Sequence, residues 1–151
     1  MERISYQEVP TEIFIKLRSI EDYLEESSVN NMLLHLLKLR ISQINGCAYC
    51  VDMHHKDLVK LGESELRLSL LVVWRETELF TEQERAVLDF AEAVTQLKVD
   101  PIDDSHYDPL MTFYSKEEIC LISLAVTQIN TWNRLMKVFR FTPGFYKSEL
   151  A

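Results

Sequence analysis

Apolar residues recur at helical spacing along nearly the whole chain. Phe14, Leu17 and Ile20, for example, predict a helix that Thr11 caps and that runs to about Glu26. The same spacing and similar start and stop residues bound the other predicted helices, which span 30 to 44, 46 to 62, 64 to 73, 81 to 97 and 115 to 141. No segment alternates apolar and polar residues for the length of a strand. The pattern therefore predicts an all-α fold.

Two helix starts carry a reciprocal capping signal. Thr81 is followed three residues later by Glu84, and Ser115 by Glu118, so each hydroxyl and carboxylate can bind the backbone N–H groups at a helix start. The segment 98–115 between the two long helices holds two prolines and several acids. It is predicted to be a loop with at most one short helix.

The helices 30–44 and 116–141 carry apolar residues around much of their circumference. A small monomer rarely buries a helix on all sides, so this pattern predicts an interface between subunits of a homo-oligomer.

Composition and charge narrow the class of protein. With 151 residues, 47% hydrophobic and 26% charged, the chain is predicted to be a single domain over 1–151. Its net charge of −8 opposes binding to nucleic acid or anionic lipid. No apolar run reaches the roughly 18 residues of a membrane span, and the amino terminus lacks a secretory pattern, so we expect a cytoplasmic protein without a membrane anchor.

The most informative segment is a CxxCxxxH motif formed by Cys47, Cys50 and His54. If the third helix starts near Gly46, the three side chains share one face. Cys47 would then lie in the first helical turn, where the dipole and free N–H groups favour a thiolate. Cys50 could close a disulfide onto it, and His54 could exchange a proton with Cys50.

Four interpretations of this motif compete. Covalent haem attachment is excluded because Val51, not histidine, follows Cys50. Zinc could bind Cys47, Cys50 and His54, but a structural zinc site normally recruits a fourth ligand from a second paired motif. Two buried structural thiols are a further alternative. A redox pair is the favoured interpretation.

Longer segments carry a resemblance to a known family. The stretches LRISQINGCAYCVDMHHKDLVKLG, WRETELFTEQERAVL and INTWNR resemble the alkyl hydroperoxidase D (AhpD-like) proteins of the carboxymuconolactone decarboxylase superfamily. The similar region spans about residues 30–144. The resemblance implies an AhpD-like all-α helical bundle that assembles into homo-oligomers, with trimers or hexamers expected.

The resemblance also implies a function and roles for residues. Members with this motif are thiol-dependent peroxidases that reduce a hydroperoxide through a dithiol/disulfide cycle. Cys50 matches the peroxide-reactive cysteine, Cys47 its partner and His54 the histidine of the proton relay. A dithiol reductant, either a lipoylated or a thioredoxin-like protein, would restore the pair, and neither a cofactor nor a resident metal ion is expected. A general thiol-disulfide oxidoreductase, or a non-enzymatic redox sensor or metal-binding module, is the alternative.

The chain departs from the family pattern at two positions. His35 stands where the best-studied members have a glutamate twelve residues before the first cysteine, and Tyr49 where they have a histidine. A carboxylate from elsewhere, Glu84 or Glu92, could replace the missing one.

The two lines of argument disagree on which cysteine is the nucleophile. The position at the helix start favours Cys47, whereas the family pattern favours Cys50; we follow the family, since cleaving a peroxide also needs a proton donor. Branches that decarboxylate a lactone lack the CxxC, which argues against that activity here.

Other polar residues have structural interpretations. Asn130, Asn133 and Arg134 lie within one helical turn and are predicted to form a structural hydrogen-bond network. His55 is predicted to lie at the surface and His106 in a polar loop.

The remaining residues of note are apolar. Cys120 lies among isoleucines and a leucine and is predicted to be a core thiol. Trp74, Trp132 and Phe113 are also predicted to belong to the core. Leucines at three positions of the second helix are expected to line either the sulfur pocket or an interface: Leu33, Leu36 and Leu37.

Overall fold

The structure is a computed structural model that describes residues 2–150. Within this range the regular structure is entirely helical, which confirms the all-α fold. Seven α-helices are joined by short turns and accompanied by 3-10 helices at Tyr6–Glu8 and Leu71–Glu76; they are α1 (Thr11–Glu25), α2 (Asn31–Ile44), α3 (Ala48–Lys60), α4 (Glu65–Leu70), α5 (Glu82–Thr95), α6 (Asp104–Phe113) and α7 (Lys116–Phe139).

The predicted capping boxes form at both sites. The Thr81 hydroxyl accepts a hydrogen bond from the Glu84 N–H, and the Glu84 carboxylate accepts one from the Thr81 N–H. Ser115 and Glu118 form the same pair of hydrogen bonds at the start of α7. The prediction that Thr11 caps α1 is wrong. Pro10 is the residue before the helix and Thr11 is its first helical residue.

The segment 98–115, predicted to be a loop with at most one short helix, contains the ten-residue helix α6. The Asp103 carboxylate caps this helix by accepting from the Ser105 N–H at 2.9 Å, and the helix includes Pro109. The prediction that His106 lies in a loop is therefore corrected. His106 lies in α6 and pairs with Asp89 of α5, so capping at Asp103 outweighs the loop character of the flanking residues.

Helix α2 runs through the centre of the molecule. Of its 14 residues, nine are buried, and it packs against α3, α5 and α7. Its apolar circumference is thus explained by contacts within the chain, which removes α2 as an argument for a subunit interface. The homo-oligomer stays a prediction.

Two hydrophobic clusters flank α2. The larger one joins α1, α2, α3, α5 and α7 and includes Leu33 and Leu37 together with both cysteines of the motif. The smaller one holds Leu36 and Trp74. The three leucines of α2 are therefore core residues, and Leu33 and Leu37 lie in the same cluster as the sulfurs.

Two predictions about the core are wrong. Cys120 is exposed, and Phe113 keeps 38% of its surface exposed. On α7, Cys120 lies about 200° around the helix from the buried Ile122, since each residue turns the helix by roughly 100°. Apolar neighbours in sequence therefore do not place Cys120 on the buried face.

None of the helices in residues 2–150 combines the length and the apolar character that a membrane crossing requires.

Candidate active site

A tight turn between α2 and α3 places the cysteine pair. Gly46 adopts φ +62°, a left-handed conformation that side chains disfavour. Helix α3 begins at Ala48 rather than at Gly46, so Cys47 is its N-cap and lies just outside the first turn. The Cys50 N–H points at the Cys47 sulfur at 3.4 Å. The two sulfurs therefore share one helix start, as the motif predicts.

The two thiols have opposite electrostatic environments. Hydrogen bonding from the Cys50 thiol lowers the pKa of Cys47 to about 7, with further help from the Cys50 N–H and the Lys137 ammonium. The same hydrogen bond, together with burial, raises the pKa of Cys50. Near pH 7 a large share of the Cys47 thiol is therefore ionised, whereas Cys50 keeps its proton.

The thiolate of Cys47 sets an expected pH dependence. The ultraviolet absorbance of the thiolate in a Cys120→Ser variant should rise through a pKa near 7 at Cys47, whereas an ordinary thiol titrates near 8.5. Below that pKa the thiol is protonated and the absorbance falls. A titration between pH 5 and pH 9 would measure it; a midpoint no lower than that of an ordinary thiol would contradict the assignment.

Access to the two sulfurs differs. Cys47 and Cys50 each expose only 1% of their surface, but Cys50 lines a cavity of about 670 Å³ and Cys47 does not. The cavity walls combine aromatic side chains with charged groups, and include Tyr6, Phe14, Arg18, Glu21, Tyr49, Met53, Trp132, Phe141, Phe145 and Tyr146. Cavities of this size accommodate small organic molecules. A small molecule that enters it meets Cys50 first.

His54 lies one turn after Cys50 on α3 and faces a second histidine. Its Nδ1 lies 3.2 Å from Nδ1 of His35 on α2. Burial lowers the pKa of both rings, that of His35 to about 4, with the nearby Lys38 ammonium contributing. Both imidazoles are therefore neutral. The Nε2 atom of His54 is buried without a hydrogen-bond partner.

The Asp57 carboxylate lies near the two histidines, whereas the sequence predicted Glu84 or Glu92 for this position. Asp57 Oδ2 lies 3.7 Å from His35 Nδ1 and 4.0 Å from His54 Nδ1, and its Oδ1 accepts from the Tyr146 hydroxyl at 2.9 Å. Asp57 was not singled out from the sequence. Its position three residues after His54, on the same helical face, was the available signal.

Glu84 and Glu92 do not line the cavity. Glu84 completes the cap of α5 and pairs with Arg67. Glu92 accepts from Arg40, Arg75 and the Trp74 indole. Since both carboxylates are used in these contacts, the suggestion that one of them replaces the family glutamate is wrong.

The predicted amide network on α7 is present. Asn45 donates to Asn130 and Asn133, and Asn133 donates to the Ser42 hydroxyl at 3.0 Å. This network is structural, as predicted, because it fixes the end of α2 against α7. Asn133 has an additional contact that the sequence did not reveal: its side chain hydrogen-bonds the Cys50 thiol and so opposes the rise in its pKa.

A buried charge pair lies in the wall of the cavity. Lys38 of α2 is 1% exposed, and its ammonium donates to the Glu21 carboxylate at 2.5 Å. The other Glu21 oxygen accepts from the Trp132 indole at 2.8 Å. Glu21 thus joins α1, α2 and α7 beside the cysteines and the histidine pair.

The C-terminal segment borders the same cavity. Lys56 of α3 donates to the backbone carbonyls of Gly144 and Tyr146, and Asp52 accepts from the Gly144 N–H at 2.9 Å. These contacts hold Tyr146 against Asp57. The chain after α7 therefore belongs to the site.

Known proteins share this arrangement of helices. The model of the carboxymuconolactone decarboxylase family matches residues 12–93. The chain belongs to this family. The matched range includes both cysteines, both paired histidines and Asp57, and the assignment confirms the resemblance seen in the sequence.

Similar proteins occur in several bacteria. The uncharacterized protein YdfG of Bacillus subtilis is 36% identical over 134 residues, which cover 89% of this chain and 91% of YdfG. A protein of unknown function from Agrobacterium tumefaciens, described as a putative antioxidant defence protein AhpD, is 40% identical, covers 97% of this chain and 100% of its own, and superposes with a TM-score of 0.91. An uncharacterized peroxidase-related protein from Silicibacter shows the same fold, with 21% identity, a TM-score of 0.80 and coverage of 90% and 72%.

Proposed function

We propose that this protein is a thiol-dependent peroxidase that reduces organic hydroperoxides through Cys50 and Cys47. One observation carries the proposal: Cys50 lines the cavity, and the sulfur next to it bears the stabilised negative charge. A peroxide in the cavity would therefore meet a thiol whose proton has an acceptor within the pair. The family assignment and the Agrobacterium relative support an antioxidant role.

In the first step, the Cys50 proton passes along the thiol hydrogen bond to Cys47. The Cys50 thiolate then attacks the terminal oxygen of the hydroperoxide; an S–O bond forms, the O–O bond breaks and an alkoxide leaves. Cys50 becomes a sulfenic acid and the alkoxide takes a proton to give the alcohol. His54 is the proposed donor, because its Nε2 has no competing partner and its Nδ1 faces His35.

In the second step, Cys47, which now holds the proton it received from Cys50, attacks the sulfur of the Cys50 sulfenic acid. The S–S bond forms and hydroxide leaves, taking up the Cys47 proton to become water, while His54 recovers its proton from solvent. The balance is one hydroperoxide, one thiol, one thiolate and one proton from solvent converted to one alcohol, one water and one disulfide.

A dithiol reductant must then restore the pair. Both sulfurs are 1% exposed, so the reductant has to enter the cavity. A lipoyl group on a flexible arm fits this requirement, since its dithiol is small and slender. A thioredoxin-like protein presents its thiol on a broad surface and fits less well. The same burial disfavours a general reductase of protein disulfides.

The stoichiometry of thiol loss tests the function. Adding one equivalent of cumene hydroperoxide to the reduced protein should consume two of its three thiols and yield one Cys47–Cys50 disulfide by peptide mass spectrometry. Cys120 should remain free. Thiols that stay reduced at a tenfold excess of hydroperoxide, or a loss confined to Cys120, would contradict the proposal.

A further inference from the structure

A cluster of three potential metal ligands lies at the wall of the cavity. His35 comes from α2, and His54 and Asp57 come from successive turns of one face of α3. All three are buried, with no more than 4% of each residue exposed. The thiol cycle uses only His54 of this cluster, so the pairing of His35 and Asp57 with it calls for its own explanation.

The separations match the coordination sphere of a small divalent cation. The two Nδ1 atoms and Asp57 Oδ2 form a triangle with sides of 3.2, 3.7 and 4.0 Å. The point equidistant from these three atoms lies about 2.1 Å from each, and zinc bonds to imidazole nitrogen and carboxylate oxygen at roughly 2.0–2.2 Å. A hydrogen bond between the rings explains the first separation. It does not explain the other two, which exceed hydrogen-bond length.

The chemistry of the cluster suits the same ion. Imidazole nitrogen is among the preferred ligands of zinc and related transition metals. Asp57 supplies a carboxylate whose second oxygen is held by the Tyr146 hydroxyl at 2.9 Å, the kind of outer contact that orients metal ligands. The Lys38 ammonium opposes a cation nearby, but its charge is offset by the Glu21 carboxylate at 2.5 Å.

The cluster is also accessible. His35, His54 and Asp57 all line the cavity that leads to Cys50. An ion could enter by this path, and the cavity side leaves room for a fourth ligand such as water. Two histidines, one carboxylate and an open position form a donor set typical of zinc and related transition metals.

We propose that His35, His54 and Asp57 form a binding site for one divalent transition-metal ion with the size and ligand preference of Zn²⁺. This site is separate from the Cys47, Cys50 and His54 set that the sequence allows, because it uses no sulfur. It shares only His54 with the thiol chemistry.

Competition between the full-length protein and a chromophoric chelator for Zn²⁺ tests the site. The wild type should bind one equivalent, and a Cys47→Ser/Cys50→Ser double variant should bind it with an affinity within about threefold. His35→Gln and Asp57→Asn should each weaken binding at least about tenfold. Asp57→Asn keeps an acceptor for Tyr146, so it tests the ligand with little risk to folding. Circular dichroism checks both variants.

His55→Gln is the matched control, since His55 adjoins His54 but its side chain is 40% exposed and pairs with Glu65. It should bind Zn²⁺ like the wild type. Co²⁺ gives an independent readout: the bound ion should show d–d bands without a thiolate charge-transfer band. Absence of binding by the wild type, loss of binding in the double-serine variant, or equal weakening by His55→Gln would overturn the proposal.

Bound metal would also withdraw His54 from proton transfer, a consequence that rests on the proposed function. Zn²⁺ should then slow hydroperoxide consumption, and a chelator should restore it. If the protein consumes no hydroperoxide at all, the proposed function fails while the Zn²⁺ titration still decides the metal site.

Discussion

Replacing Cys50 with serine is expected to lower the rate of hydroperoxide consumption by about 1,000-fold or more, since removing a nucleophile that forms a covalent intermediate costs at least this much. Cys50 lines the cavity and Cys47 does not, so a serine at position 50 leaves no thiol in the peroxide's path. Steady-state consumption with a dithiol reductant would measure the effect.

Two further variants distinguish the roles of the thiols. Cys47→Ser should still be oxidised once, leaving a Cys50 sulfenic acid that a dimedone probe captures, but should not form the internal disulfide. Cys120→Ser should keep the wild-type rate because Cys120 is exposed and lies outside the cavity. A sulfenic acid trapped on Cys47 in the Cys50→Ser variant, with the peroxide still consumed, would reverse the assignment.

The second large effect concerns stability. Glu21→Gln is expected to lower the free energy of unfolding by about 3 kcal/mol, because it leaves a buried ammonium without its counter-charge. Lys38 is 1% exposed and donates to Glu21 at 2.5 Å. The glutamine keeps the shape of the side chain and can still accept from Trp132, so the loss isolates the charge. Urea denaturation followed by circular dichroism would measure it.

Asp22→Asn is the control for this substitution, since Asp22 is the next residue of α1 and is exposed. Its effect should stay within about 0.5 kcal/mol. A second substitution, Lys38→Met, should restore most of the stability lost in Glu21→Gln by removing the unpaired charge. If Glu21→Gln unfolds at the wild-type urea concentration, the pair contributes nothing to stability and the expectation is wrong.

Apolar spacing and capping signals in the sequence predicted most of the helices correctly. The capping boxes at Thr81 and Ser115 each involve residues three positions apart, so they can be recognised from the sequence alone. The start of α2 after Asn30 follows in the same way. The start of α1 was misplaced because Thr11 and Pro10 compete for the position before the helix. His106 was assigned to a loop although the Asp103 cap begins a short helix that contains it.

Burial on a helix was predicted less well, because it depends on the direction in which a residue points. Cys120 has apolar neighbours in sequence, yet it lies on the exposed side of α7. A count of apolar neighbours cannot show this, whereas the angular position relative to Ile122 can. The apolar circumference of α2 was likewise assigned to an interface, although α3, α5 and α7 cover it within the chain.

The sequence by itself determined the helical class, the family resemblance and the thiol motif, since Cys47, Cys50 and His54 lie within two turns of one helix and need no other element to bring them together. Only the tertiary structure decided their surroundings. The contacts of His54 with His35, of Cys50 with Asn133 and of Asp57 with Tyr146 join residues 19, 83 and 89 positions apart. Such contacts depend on how α2, α7 and the C-terminal segment pack against α3, and packing is a property of the assembled core rather than of any local pattern.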